Sequence, residues 1–214
     1  MKTDELVALL ARGPVAADAH APEKRLLAAT AAASLLALGA MLAALGLRAD
    51  LSTAVALPMF WLKLLMPAAI GSAAFVACAR LSRPGARPAA PWAAIVAALA
   101  MVWIASMVDI AMTPPADRHA LVFGQSAWLC VLSVSALSLP VLAGGFVTLR
   151  LLAPTRPVLA GLAAGALAGG MAATVYALHC SEMALPFLGT WYVIGMAVPA
   201  LAGALLGPRL LRWP

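Results

Sequence analysis

Cys130 and Cys180 stand on either side of the turn Pro154-Thr155-Arg156-Pro157, each about 25 residues from its centre. On two antiparallel helices that spacing brings both thiols to nearly one height, because each helical residue advances about 1.5 Å. Equal height is necessary for contact, but a disulfide also needs Cα atoms about 4.4–6.8 Å apart, which depends on helical phase. His179 adjoins Cys180 and Glu182 follows it, while Asp117 and His119 precede Cys130 in a short loop. Thiolate with imidazole suits soft or borderline metals, and paired thiols in an oxidising compartment suit disulfide switching. Cys130, Cys180 and His179 are therefore candidates for transient metal capture, with His119, His179 and Glu182 as accessory sensing residues. No CxxC spacing marks a permanent metal site, and no cofactor is implied. The competing reading is two unrelated small residues near an interface, just as Cys78 reads as a small buried hydrophobe.

Two other ionisable residues, Lys63 and Asp109, fall inside apolar stretches and differ in height by about 9 Å in the arrangement derived below. A long Lys stem can bridge that gap, so the pair reads as a structural intramembrane ion pair, with a transport path as the rival. No hydrolase-like nucleophile with its base is present, and no basic-aromatic pattern argues for direct contact with nucleic acid.

The elements that must position these residues are set by composition. The chain has 214 residues, 64% of them hydrophobic and only 10% charged, with a mean hydropathy of +1.00. A soluble domain is about half apolar and a quarter charged, so this reads as an all-α integral membrane protein. A spanning helix needs about 20 mainly apolar residues, and six stretches qualify, at about 26–47, 54–79, 91–112, 127–149, 158–179 and 184–206. They form a membrane domain over 26–207, between a tail at 1–25 and a C-terminus at 208–214. The first stretch is too long for a signal-peptide core and reads as retained.

Basic residues are held on the cytoplasmic face, and eleven fall on one side: Lys2, Arg12, Lys24, Arg25, Arg80, Arg83, Arg87, Arg150, Arg156, Arg209 and Arg212. The opposite loops carry only Arg48 and Arg118. Both termini are thus expected in the cytoplasm (N-in/C-in), and the two sensing cysteines towards the outer face. The formal charge of +6 reflects this topology.

Three inward-running helices share a Pro-x-x-x-Gly pattern, Pro67–Gly71, Pro140–Gly144 and Pro199–Gly203, which suggests three helical hairpins built alike. Gly161, Gly165 and Gly169 recur every four residues and form a small-residue stripe for close packing. In the tail, Thr3 can cap a short helix, Asp4 and Glu5 suit its positive end, and Gly13-Pro14 stops it. Leu6, Leu9 and Leu10 fall on one face. Such a short helix is marginal alone, so that face is expected to be buried, either on the lipid surface or in a groove of a cytoplasmic protein. Residues 15–21 then read as a tether.

The stretches Met1–Leu10, Pro58–Lys63, Ala153–Pro157, Tyr176–Cys180 and Gly207–Trp213 together resemble the NrsF-type bacterial membrane anti-sigma factors, nearly end to end. The resemblance implies six spans in the inner membrane and inhibition of an extracytoplasmic-function sigma factor on the cytoplasmic side. The tail leucines Leu6, Leu9 and Leu10 would take part in binding. It also implies that a cysteine pair, here Cys130 and Cys180, responds to heavy-metal or oxidative stress. One departure is visible: the family pattern has Pro after each of these cysteines, where this chain has Val131 and Ser181. A regulator of this kind is not an enzyme. Apart from the resemblance, a membrane thiol oxidoreductase or a small transporter using Lys63 and Asp109 are the alternatives.

Overall fold

The structure is a computed structural model that describes residues 3–11, 21–83 and 85–212. Its elements are helical: α1 (Thr3–Ala11), α2 (Ala21–Ala44), α3 (Leu51–Ala54), α4 (Pro58–Leu81), α5 (Ala89–Met112), α6 (Arg118–Phe123), α7 (Ala127–Leu152) and α8 (Pro157–Tyr176). The last span begins as α9 (Leu185–Phe187), widens into a π-helical stretch (Leu188–Tyr192) and continues as α10 (Val193–Leu210). Among the described residues, six helices are long and apolar enough to cross a membrane.

Local signals explain the ends. Pro58 and Pro157 each open a helix at a position where the missing N–H costs nothing, so α4 starts four residues later than hydropathy alone suggests. In α2, Glu23 lies in the first turn, at the positive end of the helix dipole, and the helix starts ahead of the apolar run. The α1 backbone is helical as expected, with Asp4 and Glu5 in its first turn. The side chains of Leu6, Leu9 and Leu10, and the tether up to residue 20, lie outside the described residues.

The core is organised around α8. Of its apolar stretch 72% is buried, against 17% for α5. It packs against α10, α4 and α7, and the contact with α10 is the most extensive in the molecule. The glycine stripe makes this possible. A Cβ at Gly165 would overlap Pro199 O, one at Gly161 would overlap Gly203 O, and one at Gly203 would overlap Gly161 O in return. On another side of α8, a Cβ at Gly170 would lie 2.6 Å from Gly71 N of α4. Backbone therefore lies directly on backbone, a geometry open only to residues without a side chain.

Three hairpins built alike are not what forms. The fifth and sixth spans make a tight pair, but α2 lies chiefly on α7 and only lightly on α4, while α5 leans on α4 and on the start of the last span. The three Pro-x-x-x-Gly patterns diverge accordingly. Gly71 and Gly203 face α8, whereas Gly144 faces Ala29 of α2, where a Cβ would meet ordinary contacts at 3.7 Å. The outward surfaces of α2, α5 and α7 expose Leu35, Met101, Ile104 and Leu132. An apolar belt of this kind is unsuited to water and suited to lipid.

Candidate functional site

At one end of the bundle, α8 ends at Tyr176, a hydrogen-bonded turn over 177–179 leads to Cys180, and an irregular loop runs on to the start of α9. This loop is fixed from three directions. From α4, Lys63 Nζ donates to Cys180 O and Glu182 O, both at 2.7 Å, and lies 5.4 Å from the centre of the Tyr192 ring. The segment after α2 contributes the Arg48 backbone N–H, which donates to Leu178 O at 3.2 Å, and Arg48 Nη1, which donates to Cys180 O at 3.3 Å. His179 Nδ1 donates to Gly46 O at 3.0 Å, since a carbonyl can only accept.

The third direction is α7. The Glu182 carboxylate accepts from the Gln125 backbone N–H at 2.8 Å and from Ser126 Oγ at 3.4 Å, just before the first residue of α7. A carboxylate there complements the positive end of the helix dipole. It also rests against Gly124, where a Cβ would lie 2.7 Å from the carboxylate atoms. Since Cys130 lies in the first turn of α7, Glu182 ties the loop of one cysteine to the helix of the other.

Cys130 and Cys180 are buried and unbridged and lie close enough to interact electrostatically. Cys180 lines a cleft of about 390 Å3 formed with Arg48, Asp50, Ser126, Tyr176 and His179. Cys130 is fully buried and is not part of the cleft wall. Cys78, also fully buried, sits in the last turns of α4, towards the opposite end.

Arg48 is held in place by Asp50. Nε and Nη2 donate to the two carboxylate oxygens at 2.7 and 2.8 Å, a two-point geometry that suits a planar guanidinium. The hydrogen bond from Arg48 holds the Asp50 carboxyl below the usual carboxylate range, and Asp50 in turn raises the guanidinium.

Lys63 does not meet Asp109. The loop after α8 folds over Lys63 and offers it two carbonyls, so the ammonium is satisfied without reaching across to α5. Pro67, one turn further along α4, cannot donate to Lys63 O, which loosens the helix where this side chain departs. Asp109 is half-buried near the C-terminus of α5, where its backbone carbonyl accepts from Thr113. His119 is exposed on α6 and stacks on Phe123 with centroids 4.6 Å apart. It belongs to an aromatic row that continues through Trp191 to Trp128. Among the described residues no three His, Cys, Asp or Glu side chains gather to hold a metal, so the expected grouping of His179 with both thiols does not form a ligand set.

Two residues of this site escaped the sequence reading, Arg48 and Tyr192. Arg48 carried a signal, as one of only two basic residues in the loops on that side, with an Asp two positions on. Tyr192 carried none. It is aimed inward by the π-helical stretch, whose widened backbone is supported from α5: Trp103 Nε1 donates to Gly189 O at 2.8 Å and Ser106 Oγ to Leu185 O at 2.9 Å.

Comparison with known proteins bears on the whole chain. No solved structure matches it. Residues 10–213 match the family described as NrsF, negative regulator of sigma F. The chain is 42% identical to a probable anti-sigma-F factor NrsF of Azospira oryzae and 38% identical to the anti-sigma-F factor NrsF of Caulobacter vibrioides, in both cases across 100% of each chain. With the family profile spanning nearly every residue and both relatives matching from end to end, this chain belongs to the NrsF, negative regulator of sigma F, family.

Proposed function

We propose that the protein is a six-span anti-sigma factor of the bacterial inner membrane. It sequesters an extracytoplasmic-function sigma factor at its cytoplasmic face and releases it when Cys130 and Cys180 react with an oxidant or a heavy metal. The observation that carries this reading is the full-length likeness to two anti-sigma-F factors. The apolar belt supports the membrane location, and the gathering of Arg80, Arg83, Arg150, Arg156 and Arg209 at the end away from the thiols supports the orientation.

In the resting state α1, with Leu6, Leu9 and Leu10 as anchors, holds the sigma factor. Oxidation joins the two sulfurs, releases two protons and passes two electrons to the oxidant; a soft metal instead displaces the thiol protons. Either product changes the distance the two sulfurs prefer, and so biases the bundle between two arrangements. The Lys63 contacts give the loop a mechanical link to α4, which runs to Arg80 at the other end.

The decisive experiment is co-purification from detergent with a co-expressed sigma factor, comparing the full chain with one lacking residues 1–25. Retention by the full chain and loss on truncation is expected; retention by neither would overturn the anti-sigma reading. Replacing Cys130 or Cys180 with Ser should abolish stress-induced release while leaving sigma capture intact. Normal release in both variants would remove the thiols from the mechanism.

A further inference from the structure

Helix α5 is fastened to the last span at one end only. Towards the thiols, Trp103 Nε1 donates to Gly189 O at 2.8 Å and Ser106 Oγ to Leu185 O at 2.9 Å. Towards its start α5 still leans on α4, but it makes no comparable contact with α8 or α10. A groove of about 270 Å3 opens there, lined by Trp92, Ile95 and Leu99 of α5 and by Ala197, Ala200 and Leu201 of α10. Ile70 of α4 and Ala166 of α8, both buried, also line it, so the groove is cut into the bundle and is not part of its convex surface. Three of these residues are alanines, too short to close the gap. Water is a poor occupant, because a buried water needs about two to four polar partners and this lining is apolar.

The groove leads towards charge. On α10, Leu201, Leu205 and Pro208 are spaced i, i+4, i+7 and so share one face. Leu201 lines the groove, and Leu205 and Pro208 line a second hollow with Arg209 and Arg212. Among the described residues neither arginine has an acidic partner. Val193, which also lines the groove, and Arg209 are sixteen residues apart. That is about 24 Å of helix, close to the roughly 20–22 Å depth of one bilayer leaflet with its headgroups.

We propose that this groove holds an acyl chain of an anionic phospholipid whose phosphate is taken by Arg209 and Arg212. An acyl chain is the apolar occupant that a bilayer supplies at this depth, and a guanidinium matches phosphate through paired N–H donors. The lipid acts as a wedge between α5 and α10. It differs in this from lipids that cover Leu35 or Leu132 on the outward surfaces, where no recess holds them. Such a site goes beyond capture of a sigma factor and needs only that the chain resides in a bilayer.

The test is native mass spectrometry of the full-length protein in mild detergent, titrated with phosphatidylglycerol or with phosphatidylcholine of the same acyl chains. One phosphatidylglycerol per chain should stay bound under activation that strips the rest, with an apparent affinity about tenfold or more above that of phosphatidylcholine. The double variant Arg209→Gln, Arg212→Gln should weaken phosphatidylglycerol by about fivefold for each charge removed and leave phosphatidylcholine unchanged. Ala197→Phe fills the groove and should weaken both lipids. Equal retention of the two lipids by the unaltered chain, or an arginine variant that binds phosphatidylglycerol as before, would overturn the proposal. A lipid-free dimer that Ala197→Phe turns into a monomer would also overturn it, by showing that a second copy of the chain covers the groove. If Ala197→Phe does not elute as a single species on gel filtration, the arginine variant decides alone, since both of its altered side chains are exposed.

Discussion

Along its length α8 is held by backbone surfaces, whereas just past its C-terminus the chain is held by two cations and a carboxylate. In the first region Gly161, Gly165 and Gly203 allow direct contact between helices, and any added carbon overlaps a carbonyl of the neighbour. In the second, Lys63, Arg48 and Glu182 reach across from separate elements to backbone groups. The first kind of contact has one acceptable geometry, since displacement opens a gap or creates a clash. The second can exchange partners, because carbonyls and N–H groups elsewhere on the loop offer the same chemistry. A helix pair locked at its waist and adjustable at one end is suited to passing on a change made at that end as a rigid-body shift.

The strongest way to break this contrast is to add bulk at the seam. Gly165→Val places branched carbons against Pro199 O and should cost about 3 kcal/mol or more, at or above the upper end for overpacking. A large fall in the midpoint of thermal unfolding in detergent would show it. Gly39 is the control: nothing lies within 4 Å of a Cβ there, so Gly39→Ala should leave the midpoint unchanged or raise it slightly.

A smaller effect is expected at the loop. Glu182→Gln keeps the shape but removes the negative charge at the start of α7, and should cost about 0.3–1 kcal/mol. It should also speed hydrogen exchange at the Gln125 amide while leaving amides in the middle of α8 as protected as before. Equal loss of protection in both places would mean that the two regions are one cooperative unit, and the contrast would fail.

The smallest effect should come from acid. Because the Asp50 carboxyl titrates below its unfolded value, its link to Arg48 adds stability above about pH 4 and loses it as pH falls through the lowered folded value. Exchange at the Arg48 amide, corrected for its intrinsic pH dependence, should therefore quicken below about pH 4. In Asp50→Asn that step should be absent.

Much of the architecture was readable in one dimension. Hydropathy located the spans to within a few residues, and the four-residue glycine spacing announced a seam. The equal distances of Cys130 and Cys180 from the turn at 154–157 predicted a shared height, since rise per residue is a local property of helices. The partner of Lys63 was not readable in this way. The sequence offered Asp109 as the charge of opposite sign, yet the ammonium takes the carbonyls of Cys180 and Glu182. Every residue carries a carbonyl, so no residue type marks the one that a buried cation will use.

The sequence by itself thus determined the helices and their apolar surfaces, because these follow from side-chain type and from spacing along the chain. Only the tertiary structure decided which helices lie together, which way Tyr192 points and how the Cys180 loop is fastened. Those depend on helical phase and on backbone groups brought near from distant segments, and neither is encoded in any one stretch of residues.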